Sequence, residues 1–249
     1  MGGLLHHDDF FDLVAKNVHI YRDDVASLTD GVVRLTGGEE LQSDAILCGT
    51  GWTPSIQFFD EEEKVRLGLP HDPEAGSSST REKWEKLDAA ADKTTTTTYP
   101  LLSDPPPFRP KITRTTPYRL YQGMLPLHDP TIIMMNHIVT SNKLLAAEVQ
   151  AMWAVAHFDN KIKHPSVEEM EERIALWVAF SRRRYLSTGQ EGNNIVFESI
   201  VYADALLKDM GLEKHRKGWW KDLVEPFWPA DLGRAWKEYL DRVGATEVK

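Results

Sequence analysis

Two loops carry the residues of this sequence that could bind a ligand or do chemistry. Gly49-Thr50-Gly51 follows the apolar run 45–48, and the polar loop 136–141 follows the apolar run 131–135. Because open α/β sheets bind ligands at the carboxyl ends of their strands, both loops are predicted to border a cofactor. A helix predicted after the second loop would direct unpaired N–H groups towards it.

Neither loop is diagnostic on its own. Pro54 stands where G-x-G-x-x-G requires its third glycine, which argues against a phosphate cradle at the first loop. His128 and His137 flank the second apolar run without the spacing of metal ligands. Of the two, His137 is the better functional candidate because it lies on the loop, and a structural histidine fits that position equally well.

Metal and thiol chemistry are not predicted. The histidines and aspartates of the run 6–9 are sequence neighbours that cannot all converge on one ion. The single cysteine, Cys48, excludes an intrachain disulfide and a multi-cysteine zinc site. It has no basic neighbour to stabilise a thiolate, so the sequence predicts an inert cysteine in a buried strand.

The elements that must position these loops are predicted as follows. The runs 45–48 and 131–135 are continuously apolar, which is typical of strands buried on both faces of a parallel sheet. Between residues 17 and 52, short β-rich runs at 18–21, 25–28 and 32–35 alternate with Asp-Gly and Gly-Gly turns, which predicts a β-meander. The sequence therefore predicts an α/β fold.

The rest of the chain is predicted to be an insertion followed by helices. Residues 60–111 contain an acidic run, five consecutive threonines and three consecutive prolines, and we expect a partly mobile low-complexity segment. Apolar spacing predicts a helix over 144–156, and Ser166 with Glu169 predicts a capped helix after Pro165. Further helices are expected over about 195–209 and 230–243, each ending at a glycine.

Composition limits the class of protein. The chain has 249 residues, a formal net charge of −9, 41% hydrophobic and 27% charged residues, and a mean hydropathy of −0.41. These values are typical of a globular protein of one or two domains, and the acidic balance argues against nucleic-acid binding. No run approaches 18 apolar residues and the first residues lack an apolar signal segment, so a cytoplasmic protein without a membrane span is expected.

Several stretches resemble one known family. The residues from Asp30 through the Gly-Thr-Gly-Trp of 49–52 to Pro54 are similar to a signature of flavin-containing monooxygenases and their Baeyer–Villiger relatives, in its fungal form. The similarity to the C-terminal FAD-domain segment of that family continues in four further stretches: 118–121, 129–131, 147–153 and 165–170.

The resemblance implies FAD and NADPH as cofactors. It places Thr50, Gly51 and Trp52 near the junction of the two dinucleotide domains, and Asn136, His137 and Ser141 beside the isoalloxazine; no catalytic residue is assigned. It also implies four regions, listed in chain order: an NADPH-domain-like part over 1–59, the insertion over 60–111, the closing strand, loop and helix of an FAD-like domain over 112–165, and a helical region over 166–249.

The family motifs that are missing are equally informative. Neither dinucleotide G-x-G-x-x-G nor the intervening F-x-G-x-x-x-H occurs, so the chain resembles only the C-terminal half of the family and its two-dinucleotide-binding-domain fold is expected to be incomplete. The implied chemistry is NADPH- and O2-dependent oxygenation of a small apolar organic molecule. We expect the chain to be truncated and inactive alone, requiring an N-terminal half or self-association. The alternative is a non-redox binding module, or a flavin-independent cyclase or isomerase.

Overall fold

The computed structural model describes residues 9–49, 55–107, 115–213, 219–225 and 229–244. The chain forms two compact units, Met1–Pro54 and Ser55–Lys249.

The first unit contains the predicted β-meander. Helix α1 (Phe10–Asn17) precedes three antiparallel strands, β1 (Val25–Thr29), β2 (Val32–Leu35) and β3 (Glu40–Gln42), which pair in the order β1-β2-β3. Gly31 and Gly38 occupy the two turns with φ values of 70° and 90°, a backbone region that favours glycine. The meander is confirmed, although residues 18–21 form no strand.

The prediction of a buried strand at 45–48 is wrong. These residues form no strand, the side chain of Leu47 is 99% exposed, and Cys48 is exposed rather than buried. An apolar run is buried on both faces only where sheet neighbours and covering layers exist. The three-stranded sheet described in this unit provides neither for residues 45–48.

The second unit is mostly helical. Its helices are α2 (Glu61–Leu67), α3 (Ser78–Thr98), α4 (Lys143–Phe158), α5 (Val167–Arg184), α6 (Ser199–Asp209), α7 (Trp219–Val224) and α8 (Pro229–Val243). A two-stranded antiparallel hairpin is formed by β4 (Leu120–Tyr121) and β5 (Leu125–Pro126). Helix α3 packs along α5, and α4 packs against α6 and α8.

Residues 60–107, predicted as a partly mobile low-complexity insertion, contain α2 and the 21-residue α3. Ser77 caps α3 by accepting a hydrogen bond from the Thr80 N–H. Near its end, the Thr94 and Thr97 hydroxyls donate to carbonyl oxygens one turn earlier. With Thr96, three of the five threonines of the run therefore satisfy their hydroxyls within the helix.

The prediction of a second buried strand at 131–135 is also wrong. The segment runs through the structure without a ladder, with Ile132 and Met134 partly buried against a small apolar cluster. The described residues show no parallel sheet, only an isolated parallel bridge between Val139 and Asn194. The fold is a mixed α/β arrangement with small antiparallel sheets.

The predicted helices after residue 142 are confirmed. Ser166 accepts a hydrogen bond from the Glu169 N–H, whereas the Glu169 carboxylate pairs with Arg173 at 2.6 Å and does not return to the cap. Gly211 and Gly244 follow the last turns of α6 and α8 with positive φ. Together α4, α5, α6, α8 and the β4–β5 hairpin enclose the main core, whose fully buried members include Met124, Leu145, Val149, Trp153, Leu206 and Leu207.

Candidate functional site

The structure describes three of the six predicted site residues. Thr50, Gly51 and Trp52 lie outside the described residues. Asn136, His137 and Ser141 lie on the segment 136–141, called the α4 loop below, which leads directly into α4.

The α4 loop is held along one side by the segment 193–196. The Val139 N–H donates to the Asn193 carbonyl at 2.8 Å, and the Ile195 N–H donates back to the Val139 carbonyl at 2.9 Å. Further along, the Ser141 N–H donates to the Val196 carbonyl at 3.1 Å. Backbone pairing therefore fixes the course of the loop without a regular sheet.

A buried polar chain fixes the start of the α4 loop. Asn136 has a φ of 61°, and its N–H donates to Gln150 Oε1 at 3.0 Å. Gln150 Nε2 donates to the Tyr202 hydroxyl at 2.8 Å, which donates to the Gln122 carbonyl at 3.0 Å. Gln150 is fully buried and Tyr202 nearly so, and burial raises the pKa of the tyrosine. The neutral hydroxyl can thus both accept and donate.

Sequence reasoning missed Gln150 and Tyr202. The available signal was Gln150 itself, an amide beside Val149 on the apolar face of α4. A polar side chain at such a position requires a hydrogen-bond partner.

Replacing Tyr202 by phenylalanine is expected to lower the free energy of unfolding by about 1 to 2 kcal/mol, because Gln150 Nε2 and the Gln122 carbonyl lose their buried partner. Urea denaturation would measure this change. Tyr99→Phe is the matched control, since Tyr99 is half exposed, and it should change stability by less than about 0.5 kcal/mol. Equal effects of the two substitutions would contradict a structural role for the polar chain.

His137 points into the protein. Its ring stacks on Tyr118 with centroids 4.4 Å apart and planes at 27°. Both ring nitrogens are buried, and burial lowers the pKa of His137 to about 4 against a smaller opposing effect of the Met134 backbone. The imidazole is therefore neutral at pH 7 and packs against Tyr118.

The exposed members of the α4 loop are Asn136 and Ser141. At the start of α4, Asn142 Oδ1 accepts a hydrogen bond from the Leu145 N–H, and Lys143 Nζ donates to the Ile138 carbonyl at 3.1 Å. The Thr140 hydroxyl is buried without a hydrogen-bond partner among the described residues. The exposed side of the α4 loop is therefore polar.

A separate cavity of about 410 Å³ lies between α2, α3 and the segment that contains Thr116 and Arg119. The Arg119 guanidinium makes two hydrogen bonds to Asp88, at 2.8 and 2.7 Å, and lies 4.2 Å from the centroid of the Trp84 ring. Sequence reasoning missed this cavity because it had assigned much of its wall to a mobile insertion. No group of three or more potential metal ligands occurs in the described residues.

Comparison with known proteins identifies the class. The chain is homologous over most of its length to fungal FAD-dependent monooxygenases, which confirms the resemblance predicted from the sequence. The FAD-dependent monooxygenase resA of Aspergillus sclerotiorum is 29% identical over 256 residues, covering 99% of this chain and 44% of that protein. The FAD-dependent monooxygenase DEP4 of Alternaria brassicicola is 29% identical and covers 96% and 42%. The FAD-dependent monooxygenase DEP4 of Fusarium langsethiae is 30% identical, and the match covers 86% of this chain and 38% of that protein.

The chain therefore spans less than half the length of these relatives. No family model matches it. Among solved structures, an S-allyl-L-cysteine S-oxygenase from Allium sativum aligns with a TM-score of 0.43 and 15% identity over 88% of this chain and 43% of that one, a likeness too weak to define the fold. None of the helices in the described ranges is long and apolar enough to cross a membrane.

Proposed function

We propose that this chain forms the flavin-bordering, C-terminal part of an FAD-dependent monooxygenase and needs further polypeptide to act. The observation that carries the proposal is the homology of nearly the whole chain to proteins named as FAD-dependent monooxygenases, of which it spans less than half. The sequence contains neither glycine fingerprint that would hold a dinucleotide pyrophosphate.

The α4 loop would form one edge of the flavin site. A bound flavin would supply the redox chemistry, insertion of one oxygen atom from O2 into a small apolar organic molecule with NADPH as reductant. Asn136 and Ser141, the exposed members of the loop, would face the cofactor. His137, Gln150 and Tyr202 would hold the loop in place.

Exposed apolar side chains support the need for further polypeptide. Beside the α4 loop, Leu144 is 75% exposed and Phe197 is 73% exposed. In the first unit, Ile20 and Leu28 are exposed. Among the described residues of that unit, Leu35 is the one buried apolar side chain. Such apolar surface is typical of an interface, and the polypeptide that the relatives carry beyond the matched region is the proposed occupant.

The proposal is tested by flavin retention. We expect this chain, purified alone and incubated with FAD, to retain little flavin absorbance after gel filtration. A fusion to the segment of the Aspergillus sclerotiorum relative that lies outside the match is expected to retain about one flavin per chain and to oxidise NADPH. Absence of flavin in a folded fusion would contradict the family function, and stoichiometric flavin on this chain alone would contradict the need for the second segment.

A matched pair of variants tests the α4 loop within that fusion. Ser141→Leu is expected to weaken FAD binding about tenfold, because the larger apolar side chain occupies the proposed cofactor edge. Ser187→Leu makes the same change at another exposed serine and should leave FAD binding unchanged. Equal affinities for the two variants would exclude Ser141 from the cofactor edge.

The second candidate is a flavin-independent binding module, cyclase or isomerase. The cavity beside Arg119 favours it, because residues of this chain alone form its walls. Conversion of an apolar metabolite by a folded, colourless preparation of this chain would favour this candidate over the monooxygenase.

A further inference from the structure

We propose that the cavity between α2, α3 and Arg119, called the α2–α3 cavity below, binds a neutral, ring-sized apolar molecule that carries one hydroxyl or N–H donor. The site is distinct from the α4 loop, and its walls come from the second unit alone. Its volume of about 410 Å³ lies in the range of small-molecule sites. The inference does not depend on a flavin or on the proposed monooxygenase.

The cationic side chains of the α2–α3 cavity are already neutralised within the protein. Each of its four cationic side chains has a carboxylate partner at 2.5 to 2.7 Å, namely Arg66 with Asp129, Arg81 with Glu74, Lys83 with Glu171, and Arg119 with Asp88. An anionic ligand would have to displace one of these carboxylates. Two of the pairs involve nearly buried groups, Arg119 and Glu171, and separating a buried pair is costly.

The wall of the cavity offers an apolar surface to a ring. Val65, Pro73, Trp84 and Leu127 contribute carbon surface, and the Arg119 guanidinium fixes the indole of Trp84 by stacking on it. A ring without charge loses little hydration when it enters such a site, and it gains the burial of its apolar surface.

His71 gives the cavity a directional polar group. Its Nδ1 lies 2.7 Å from the Leu69 carbonyl oxygen, which can only accept, so Nδ1 carries the proton. The Thr116 hydroxyl lies within hydrogen-bond distance of both Nδ1 and the His71 backbone N–H. In the neutral ring Nε2 is therefore a fixed acceptor, and it requires a donor on the ligand.

Gly76 lies opposite this acceptor. A Cβ added at Gly76 would come to 3.9 Å from His71 Nε2, an ordinary van der Waals distance. The backbone at Gly76 therefore tolerates a Cβ, and a larger side chain would extend from a point beside Nε2.

The experiment uses four naphthalene probes with this chain alone, measured by isothermal titration calorimetry at about pH 8. We expect 1-naphthol to bind about fivefold more tightly than 1-methoxynaphthalene, which lacks the donor. Both should bind more tightly than 1-naphthoate and 1-naphthylmethylamine, the anionic and cationic probes. Tighter binding of either charged probe, equal binding of the two neutral probes, or no binding of 1-naphthol would overturn the proposal.

Three substitutions test whether the probes bind in the α2–α3 cavity. His71→Phe should remove the preference for 1-naphthol while leaving 1-methoxynaphthalene binding unchanged, and Gly76→Leu should weaken both about tenfold or more. His19→Phe is the matched control, because His19 is an exposed histidine that does not line the cavity. Retained preference in His71→Phe, or its loss in His19→Phe, would contradict the assignment. If Gly76→Leu fails to fold, the comparison of the two histidine variants still shows whether His71 accepts the hydrogen bond of the ligand.

Discussion

Trp153→Ala is expected to lower the free energy of unfolding of the second unit by about 4 kcal/mol. Trp153 is fully buried in the main core, its ring stacks in parallel on His157 with centroids 5.5 Å apart, and its Nε1 donates to Asp209 at 3.3 Å. Alanine would leave a large cavity and an Asp209 oxygen with one fewer donor. Because total stabilities are about 5 to 15 kcal/mol, this loss is a large share of what holds α4 in place.

Urea denaturation followed by circular dichroism measures this effect, and the same helix provides a matched control. Leu144→Ala removes an apolar side chain that is 75% exposed, so its cost should stay below about 0.5 kcal/mol. Since α4 carries Gln150, the Trp153→Ala variant should also release the Asn136 N–H to faster hydrogen exchange. Equal costs for the two substitutions would show that α4 is not packed as the structure has it.

Local signals predicted the elements whose stabilising contacts are themselves local. The β-meander follows from turns that require positive φ at Gly31 and Gly38. The start of α5 follows from a serine that accepts a hydrogen bond three residues along the chain. Such contacts lie within a few residues of one another, so a single sequence displays them.

Elements defined by distant contacts were not predictable in the same way. The runs 45–48 and 131–135 are apolar in sequence, but a strand also needs a ladder with a neighbouring strand. Neither run forms one in the described structure, where 131–135 makes a single backbone–backbone hydrogen bond, from the Met134 N–H to the Met124 carbonyl at 2.9 Å. Conversely, 94–98 looks like low-complexity sequence, yet it completes a helix that packs along α5. Tertiary packing decided each of these cases.

The candidate site shows the same division. The position of the α4 loop before a helix was readable from apolar spacing. The inward orientation of His137 depends on Tyr118, and the anchoring of Asn136 depends on Tyr202, 66 residues away by the numbering. Contacts of that sequence separation leave only an indirect trace, such as a buried glutamine.

The buried His137 is expected to make this protein less stable in mild acid. Burial lowers its pKa from 6.5 to about 4, so between these values the unfolded chain binds a proton that the folded protein excludes. Above about pH 6.5 both states are neutral and the effect is absent; as the pH falls through this window, stability is lost. At about 1.4 kcal/mol per pKa unit, the loss is about 3 kcal/mol at pH 4.

His137→Phe isolates this contribution, because phenylalanine keeps a planar ring against Tyr118 and binds no proton. The variant should lose about 3 kcal/mol less than the native chain when urea denaturation is repeated from about pH 7.5 to about pH 4. The variant must be compared with the native chain because burial and the neighbouring His157 also lower the pKa of His164. His164 therefore also reduces stability in mild acid, in both proteins. Ser187→Ala, at an exposed residue without an ionisable side chain, should reproduce the native pH dependence. A His137→Phe profile that parallels the native one would mean that the His137 ring reaches water and accepts a proton in the folded state, and therefore that the α4 loop opens.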